Sequence, residues 1–207
     1  MKAKKSRTKT TTPARLFSGK ESWAAWLEEN HQKAGGLWLR LAKKRSPLRS
    51  VSYEDAVEVA LCYGWIDGQK KGESEEIWRQ RFIPRSANSI WSKINQEKAV
   101  VLIKNGQMRQ AGFEAVKRAR RNGRWKSAYD SQSRSHVPSD LQLALDANAA
   151  AQAFFGVLDS ANRYAILFRL QTAQKPETRT KKIQQFVEML ANNQKIHEPR
   201  KARRASK

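Results

Sequence analysis

The segment from Glu76 to Pro84 reads EIWRQRFIP, and its strict alternation constrains the fold more than any other stretch of the chain. A period of two predicts a strand with Trp78 and Phe82 on one face and Ile77, Arg79, Arg81 and Ile83 on the other. That strand carries its arginines on one side. It lies inside the longer segment 61–95, where Trp65, Trp78 and Trp91, three of the seven tryptophans, stand beside Arg79, Arg81, Arg85 and Lys93. Large apolar anchors among guanidinium groups are the composition of an aromatic-walled surface that receives something anionic.

The elements around this strand follow from local signals. Ser18 to Glu21 reads as a capping box opening a short helix that ends near Asn30, with Trp23, Trp26 and Leu27 on one face. Leu37, Leu39 and Leu41 alternate with Trp38 and Arg40 between the Gly35-Gly36 turn and Pro47, which predicts a second strand. Ser52 caps a helix with Glu54 and Asp55 in its first turn; Gly64 closes it, and Trp65 folds back on it as a core anchor. A helix from Ser89 or Ser92 to Asn105-Gly106 has Trp91, Ile94, Val101 and Leu102 as its apolar residues, and the next, from about Arg109 to Arg121, buries Phe113, Val116 and Ala119. Beyond a polar, turn-rich stretch at 127–138, only helices are predicted: Leu141 to Leu145, Ala149 to Leu158, Asn162 to Leu170, and one opened by Pro176.

The fold class expected is therefore α+β and predominantly helical, with an N-terminal α+β domain of a few short strands at 16–130 and a small C-terminal helical region at 131–197. Basic tails at 1–15 and 198–207 are expected to be disordered. A 39% hydrophobic content with seven Trp and seven Phe excludes a wholly disordered chain. The formal charge of +22 is unevenly placed. The first tail holds six basic residues and no acid and the second five against Glu198, which leaves +12 for residues 16–197. Within 79–126, thirteen Lys or Arg face only Glu97 and Glu114, so one segment carries nearly all of that excess.

Five ordered blocks resemble a known family: EDAVEVALCYGWIDG, RFIPRSANSIWSKIN, IKNGQM, GRWKSAYD and KPETRTKKI. From about Leu16 to about Asn193 the chain is similar to the YdeI/OmpD-associated family, also labelled bacteriocin-protection proteins. The resemblance implies a small bacterial cytoplasmic protein linked by name to tolerance of bacteriocins or antimicrobial peptides and to an outer-membrane porin. It carries no agreed catalytic mechanism, so no site residue is transferred from it.

Catalytic signatures are absent from the sequence: no phosphate-binding glycine loop, no G-x-S-x-G and no H-E-x-x-H. His31, His136 and His197 are scattered, and the single Cys62 falls on the apolar side of its helix as a buried, inert thiol, so no metal site or cofactor is expected. No apolar run reaches the ~18 residues of a membrane span, and a soluble, cytoplasmic protein without membrane insertion is expected.

Asp67 has two readings. Glycines on either side would hold it beside the arginines of the 79–85 strand, where it would serve as a general base in an enzyme; the preferred alternative is a structural turn aspartate. Arg79 and Arg81, two apart, point the same way and would grip a phosphate or carboxylate, or else form a solvated face. The candidate ligand-binding set is Asp67, Trp78, Arg79, Arg81, Arg85, Trp91 and Lys93. Lys117, Arg118, Arg120, Arg121 and Arg124 form a second basic cluster; Lys117, Arg121 and Arg124 are expected to align at helical spacing and to suit nucleic acid or simple solubility. The leading function expected is a non-enzymatic binder of an anionic small molecule or protein partner acting in stress tolerance; the alternative is a sequence-nonspecific nucleic-acid binder that also uses the tails.

Overall fold

The computed structural model describes residues 14–198. Most of both predicted tails lies outside them, although Ala14 and Arg15, expected in the N-terminal tail, form a strand. Two compact units are present among the described residues: 14–89 with 97–121, and 90–96 with 122–198.

The first unit is a sheet packed on helices. Its four strands are β1 (Ala14–Leu16), β2 (Leu37–Ala42), β3 (Trp65–Gly72) and β4 (Ile77–Pro84), in the order β1-β2-β4-β3. β1 runs parallel to β2, and β4 is antiparallel to both of its neighbours. The helices α1 (Lys20–Asn30), α2 (Tyr53–Cys62) and α4 (Gln110–Arg121) belong to this unit, while α3 (Lys93–Lys104) has its first turn in the other. Leu37, Leu39, Leu41 and Phe82 are buried on the inner sheet face, where the Trp23 ring lies 5.7 Å from Phe82 and meets the Trp65 ring edge-on at 6.3 Å. Ser52 caps α2 by accepting the Asp55 N–H at 3.0 Å, and Gly64 just beyond α2 takes φ +70°, which glycine adopts without cost.

Several expectations shift by local detail. The N-cap of α1 is Gly19, one residue past Ser18; its N–H donates to Ser22 Oγ. Ile94, Val101 and Phe113 are exposed, because α3 buries Ala99 and Leu102 and α4 buries the small residues Gly112, Ala115 and Ala119 with Val116. The small residues allow α4 to lie close against the end of α2: Arg109 N–H donates to the Cys62 carbonyl at 3.2 Å.

The second unit is helical: α5 (Ser139–Asp146), α6 (Ala149–Val157), α7 (Ser160–Gln171) and α8 (Pro176–Ala191) enclose Leu141, Leu145, Phe155, Leu158, Ile166, Leu170, Ile183 and Leu190. Asn148 and Asp159 cap α6 and α7 with their side chains. The segment after α4 turns back onto 90–96 within this unit: Trp125 packs on Trp91 at 5.0 Å, Ser92 bridges Tyr129, and Lys93 pairs with Asp130 at 2.8 Å.

Arg179 holds α8 against α5 through a bidentate pair with Asp140, at 2.6 and 2.9 Å. The hydrogen bond from Arg179 keeps the Asp140 carboxyl below its ordinary range. A depressed folded pKa contributes stability above the unfolded value and loses it as pH falls through the folded one. The second unit should therefore lose a modest increment, under ~1 kcal/mol for so exposed a pair, in acid. Urea unfolding at stepped pH is expected to show a smaller acid loss in Asp140→Asn than in the parent; equal slopes would remove the pair from the account.

Candidate anion site on the sheet

Strand register decides which charged side chains meet. Arg40 on β2 and Lys71 on β3 are both opposite Arg79 on β4, and Trp38 is opposite Arg81. Directly opposed residues share a face with Cβ atoms about 4.5–5.5 Å apart. Arg40, Arg79 and Lys71 thus form a basic row across three strands, on the face away from Phe82, with Arg81 one step along β4. Like charges so opposed destabilise a sheet unless something compensates.

Part of the compensation is Glu73, the first residue after β3. Its carboxylate lies 2.9 Å from Arg40 Nη2 and 3.3 Å from Arg79 Nε. The turn Glu73–Ile77 holds it there, with the Glu73 and Ser74 N–H groups donating to the Ile77 carbonyl and Ser74 Oγ accepting from Ile77 N–H. Lys71 Nζ stands 5.1 Å from the centre of the Trp38 ring, a cation over an aromatic face. Trp38 itself is only 8% exposed, so the ring is a floor under the cations and not an open wall.

The Nε atoms of Arg40, Arg79 and Arg81 are shut off from solvent and make no hydrogen bond; Arg79 Nε is near Glu73 without the geometry of one. Gly36, at φ +144°, brings its backbone against Ile83 and Arg81; a Cβ there would sit 2.8 Å from Ile83 Cγ2 and 3.7 Å from Arg81 Nε. Among the described residues no carboxylate pairs with Arg81. Of the four cations two, Arg40 and Arg79, have an acid beside them, and buried guanidinium N–H groups are left to be satisfied.

The other residues of the expected ligand set are placed elsewhere. Asp67 is opposite Phe82, which puts its carboxylate on the reverse face from Arg79 and Arg81 and corrects the expected juxtaposition. It is a strand residue at the edge of a β-bulge, not a turn aspartate, and accepts the Tyr53 hydroxyl at 2.7 Å. The bulge carbonyl of Gly68 accepts from the buried Gln80 side chain at 3.0 Å. Trp78 shares that reverse face, with the Lys70 ammonium 4.1 Å above it and Tyr53 5.7 Å away. Arg85 is 6% exposed, its N–H donating to the Gly64 carbonyl and its own carbonyl accepting from Arg118. Trp91 and Lys93 belong to the second unit, packed on Trp125 and paired with Asp130.

The basic cluster of α4 is also divided. Lys117, Arg120 and Arg121 are exposed and Arg118 is committed to the Arg85 carbonyl, but Arg124 lies beyond the end of the helix, in the second unit, and does not continue the helical spacing.

A cleft of about 450 Å³ opens beside α1, α2 and the start of α4, lined by Lys20, Val59, Cys62, Tyr63, Gln107 and Arg109. Two of its polar side chains, Lys20 and Tyr63, are hydrogen-bonded to carboxylates. Glu58 accepts from Lys98 at 2.8 Å and Lys20 at 3.3 Å, which holds its carboxyl below the ordinary range, and the Tyr63 hydroxyl donates to Glu28 at 2.7 Å. Burial pushes the Cys62 thiol up, the reverse of what an activated nucleophile needs. Among the described residues no group of three His, Cys, Asp or Glu side chains is placed to hold a metal ion, and no helix is long and apolar enough to cross a membrane.

Residues 134–193 match the family model described as Bacteriocin-protection, YdeI or OmpD-Associated. The chain carries a YdeI/OmpD-associated domain. Residues 15–115 match a different model, a domain of unknown function (DUF8412). Of the five resembling blocks, KPETRTKKI lies in the YdeI/OmpD-associated segment, three lie in the domain of unknown function, and GRWKSAYD lies between the two. The arginine row therefore stands outside the YdeI/OmpD-associated segment. No curated protein and no solved structure matches the chain.

Sequence reasoning named Arg79 and Arg81 but missed Arg40, Lys71, Glu73 and Trp38. Arg40 was visible as the polar member of an alternating strand; β3 was not, so nothing in the sequence aligned Lys71 with Arg79.

Proposed function

We propose that this chain is a cytoplasmic, non-enzymatic binder of an anionic ligand, acting through the arginine face of its sheet. One observation carries the reading: Arg40, Lys71, Arg79 and Arg81 share one sheet face, where Glu73 is the carboxylate partner of Arg40 and Arg79 alone. Guanidinium groups fixed on strands are preorganised donors to phosphate or carboxylate oxygens, and an incoming anion relieves the repulsion among them. The description of the matched family, bacteriocin protection, supports a role in stress tolerance. Direct capture of cationic peptides is disfavoured, because a body at +12 repels them, so protection would act through the bound anion or partner.

The test is anion-induced thermal stabilisation. Sulfate or phosphate is expected to raise the melting temperature of the parent and to raise that of the Arg79→Gln, Arg81→Gln double variant by less than half as much. Folding of the variant should be nearly intact, since surface ion pairs contribute about 0–1 kcal/mol. Equal stabilisation of the two proteins would reject the site.

A further inference from the structure

We propose that the arginine row takes an oligophosphate, an anion with two or more linked phosphoryl groups, and that Glu73 is the resident carboxylate this ligand displaces. This rests on the anion-binding reading above and adds the ligand class and the group that partly offsets the charge of the row before the ligand arrives.

Spacing selects the class. Arg40, Arg79 and Lys71 stand on adjacent strands about 4.8 Å apart, and Arg81 is two residues along β4, roughly 6.6 Å further at strand rise. One orthophosphate reaches two of these forks; a chain of phosphoryl groups reaches three or four while offering each guanidinium its own pair of oxygens. Carboxylates on a carbon skeleton carry less charge over the same span. The buried Trp38 ring offers no open face for stacking, so the site reads charge and not a nucleobase.

Glu73 already imitates such a ligand. Its two carboxylate oxygens divide between Arg40 and Arg79, one to each, as a phosphoryl group bridging the row would divide them. Its backbone is fixed by the turn hydrogen bonds, but the side chain is free to rotate off the row without breaking any of them. The Arg40 and Arg79 side chains are 38% and 37% exposed, so a ligand approaches them directly from solvent. With Glu73 in place the row has a partner; with an oligophosphate bound, Glu73 must leave, because two anions cannot share the same donors.

The experiment measures binding of inorganic tripolyphosphate, orthophosphate and citrate to the full chain by calorimetry at fixed ionic strength, with Glu73→Gln and Arg40→Gln, Arg79→Gln variants. Arginine side-chain Nε–H resonances, recorded at low pH and temperature to slow exchange, locate the contact at the buried Nε groups of Arg40, Arg79 and Arg81. Tripolyphosphate is expected to bind at least tenfold tighter than either orthophosphate or citrate and to shift those three resonances. Glu73→Gln should bind it roughly fivefold tighter, the worth of an exposed ion pair removed from competition, and the double arginine variant should lose that increment. Equal affinity of the parent and Glu73→Gln would overturn displacement while leaving the site. Citrate binding as tightly as tripolyphosphate would overturn the ligand class. Tripolyphosphate binding that leaves the three Nε resonances unmoved would place it on other cations and overturn the inference, and no anion shifting them in any variant would overturn the site reading as well.

Discussion

Trp65→Ala should destabilise the first unit by ~3–5 kcal/mol, the range for deleting a fully buried large side chain. The indole is 1% exposed, meets the Trp23 ring edge-on at 6.3 Å and the Trp26 ring edge-on at 5.9 Å, and donates its N–H to the His31 carbonyl at 3.1 Å. Truncation leaves a cavity beside the Trp23 and Trp26 rings and removes the donor from a carbonyl at the end of α1. Trp65→Phe keeps most of the volume and loses the hydrogen bond, so it should cost much less, about 1–2 kcal/mol. Urea unfolding followed by circular dichroism checks both, with the second unit's transition as an internal reference. A midpoint unchanged by Trp65→Ala would mean that the indole is not packed and would dismantle the description of this core.

The parts of the fold that were legible in the sequence are those where one signal dominated. Ser52 with Glu54 and Asp55, the apolar positions of α2 and Gly64 all agree, and α2 forms where they place it. β2 and β4 were legible because their alternation is clean. β3 was hidden because its only buried residue is Trp65, its outer half is GQKKG, and Asp67-Gly68 reads as a turn when it is the start of a bulge. β1 has three exposed residues inside a basic run and gains its hydrogen bonds only by lying parallel to β2, a long-range event no local pattern announces. The same limit applies to the site. Arg79 and Arg81 are neighbours in sequence and could be paired on paper, whereas Arg40 and Lys71 reach them only through strand register, which the missing β3 made unreadable.

The position of α4 shows propensity and packing in opposition, and Gly112 measures which wins. By helix propensity alone, Gly112→Ala inside α4 should stabilise the chain by about 1 kcal/mol. Packing says the reverse. A Cβ at Gly112 would point into the end of α2, against the carbonyl oxygens of Cys62 and Leu61, the latter at 2.7 Å, and against Met108 Sδ. The thioether can swing away, but the carbonyls are backbone and are held by α2 itself. The adjacent contact has no slack either, since Gly64 faces the Ala111 carbonyl so closely that a Cβ there would lie 2.6 Å from it. Relief therefore requires α4 to lift, which loosens Ala115, Val116 and Ala119 from the core. Overpacking of this kind costs about 1–3 kcal/mol, and for Gly112→Leu the cost should reach or exceed the top of that range. Gly156 in α6 supplies the control, because a Cβ there meets nothing within 4 Å. Gly156→Ala should stabilise the second unit by about 0.5–1 kcal/mol, while Gly112→Ala destabilises the first. If both substitutions stabilise by similar amounts in urea unfolding, α4 does not lie where its small residues put it, and the close approach of α4 to α2 fails with it.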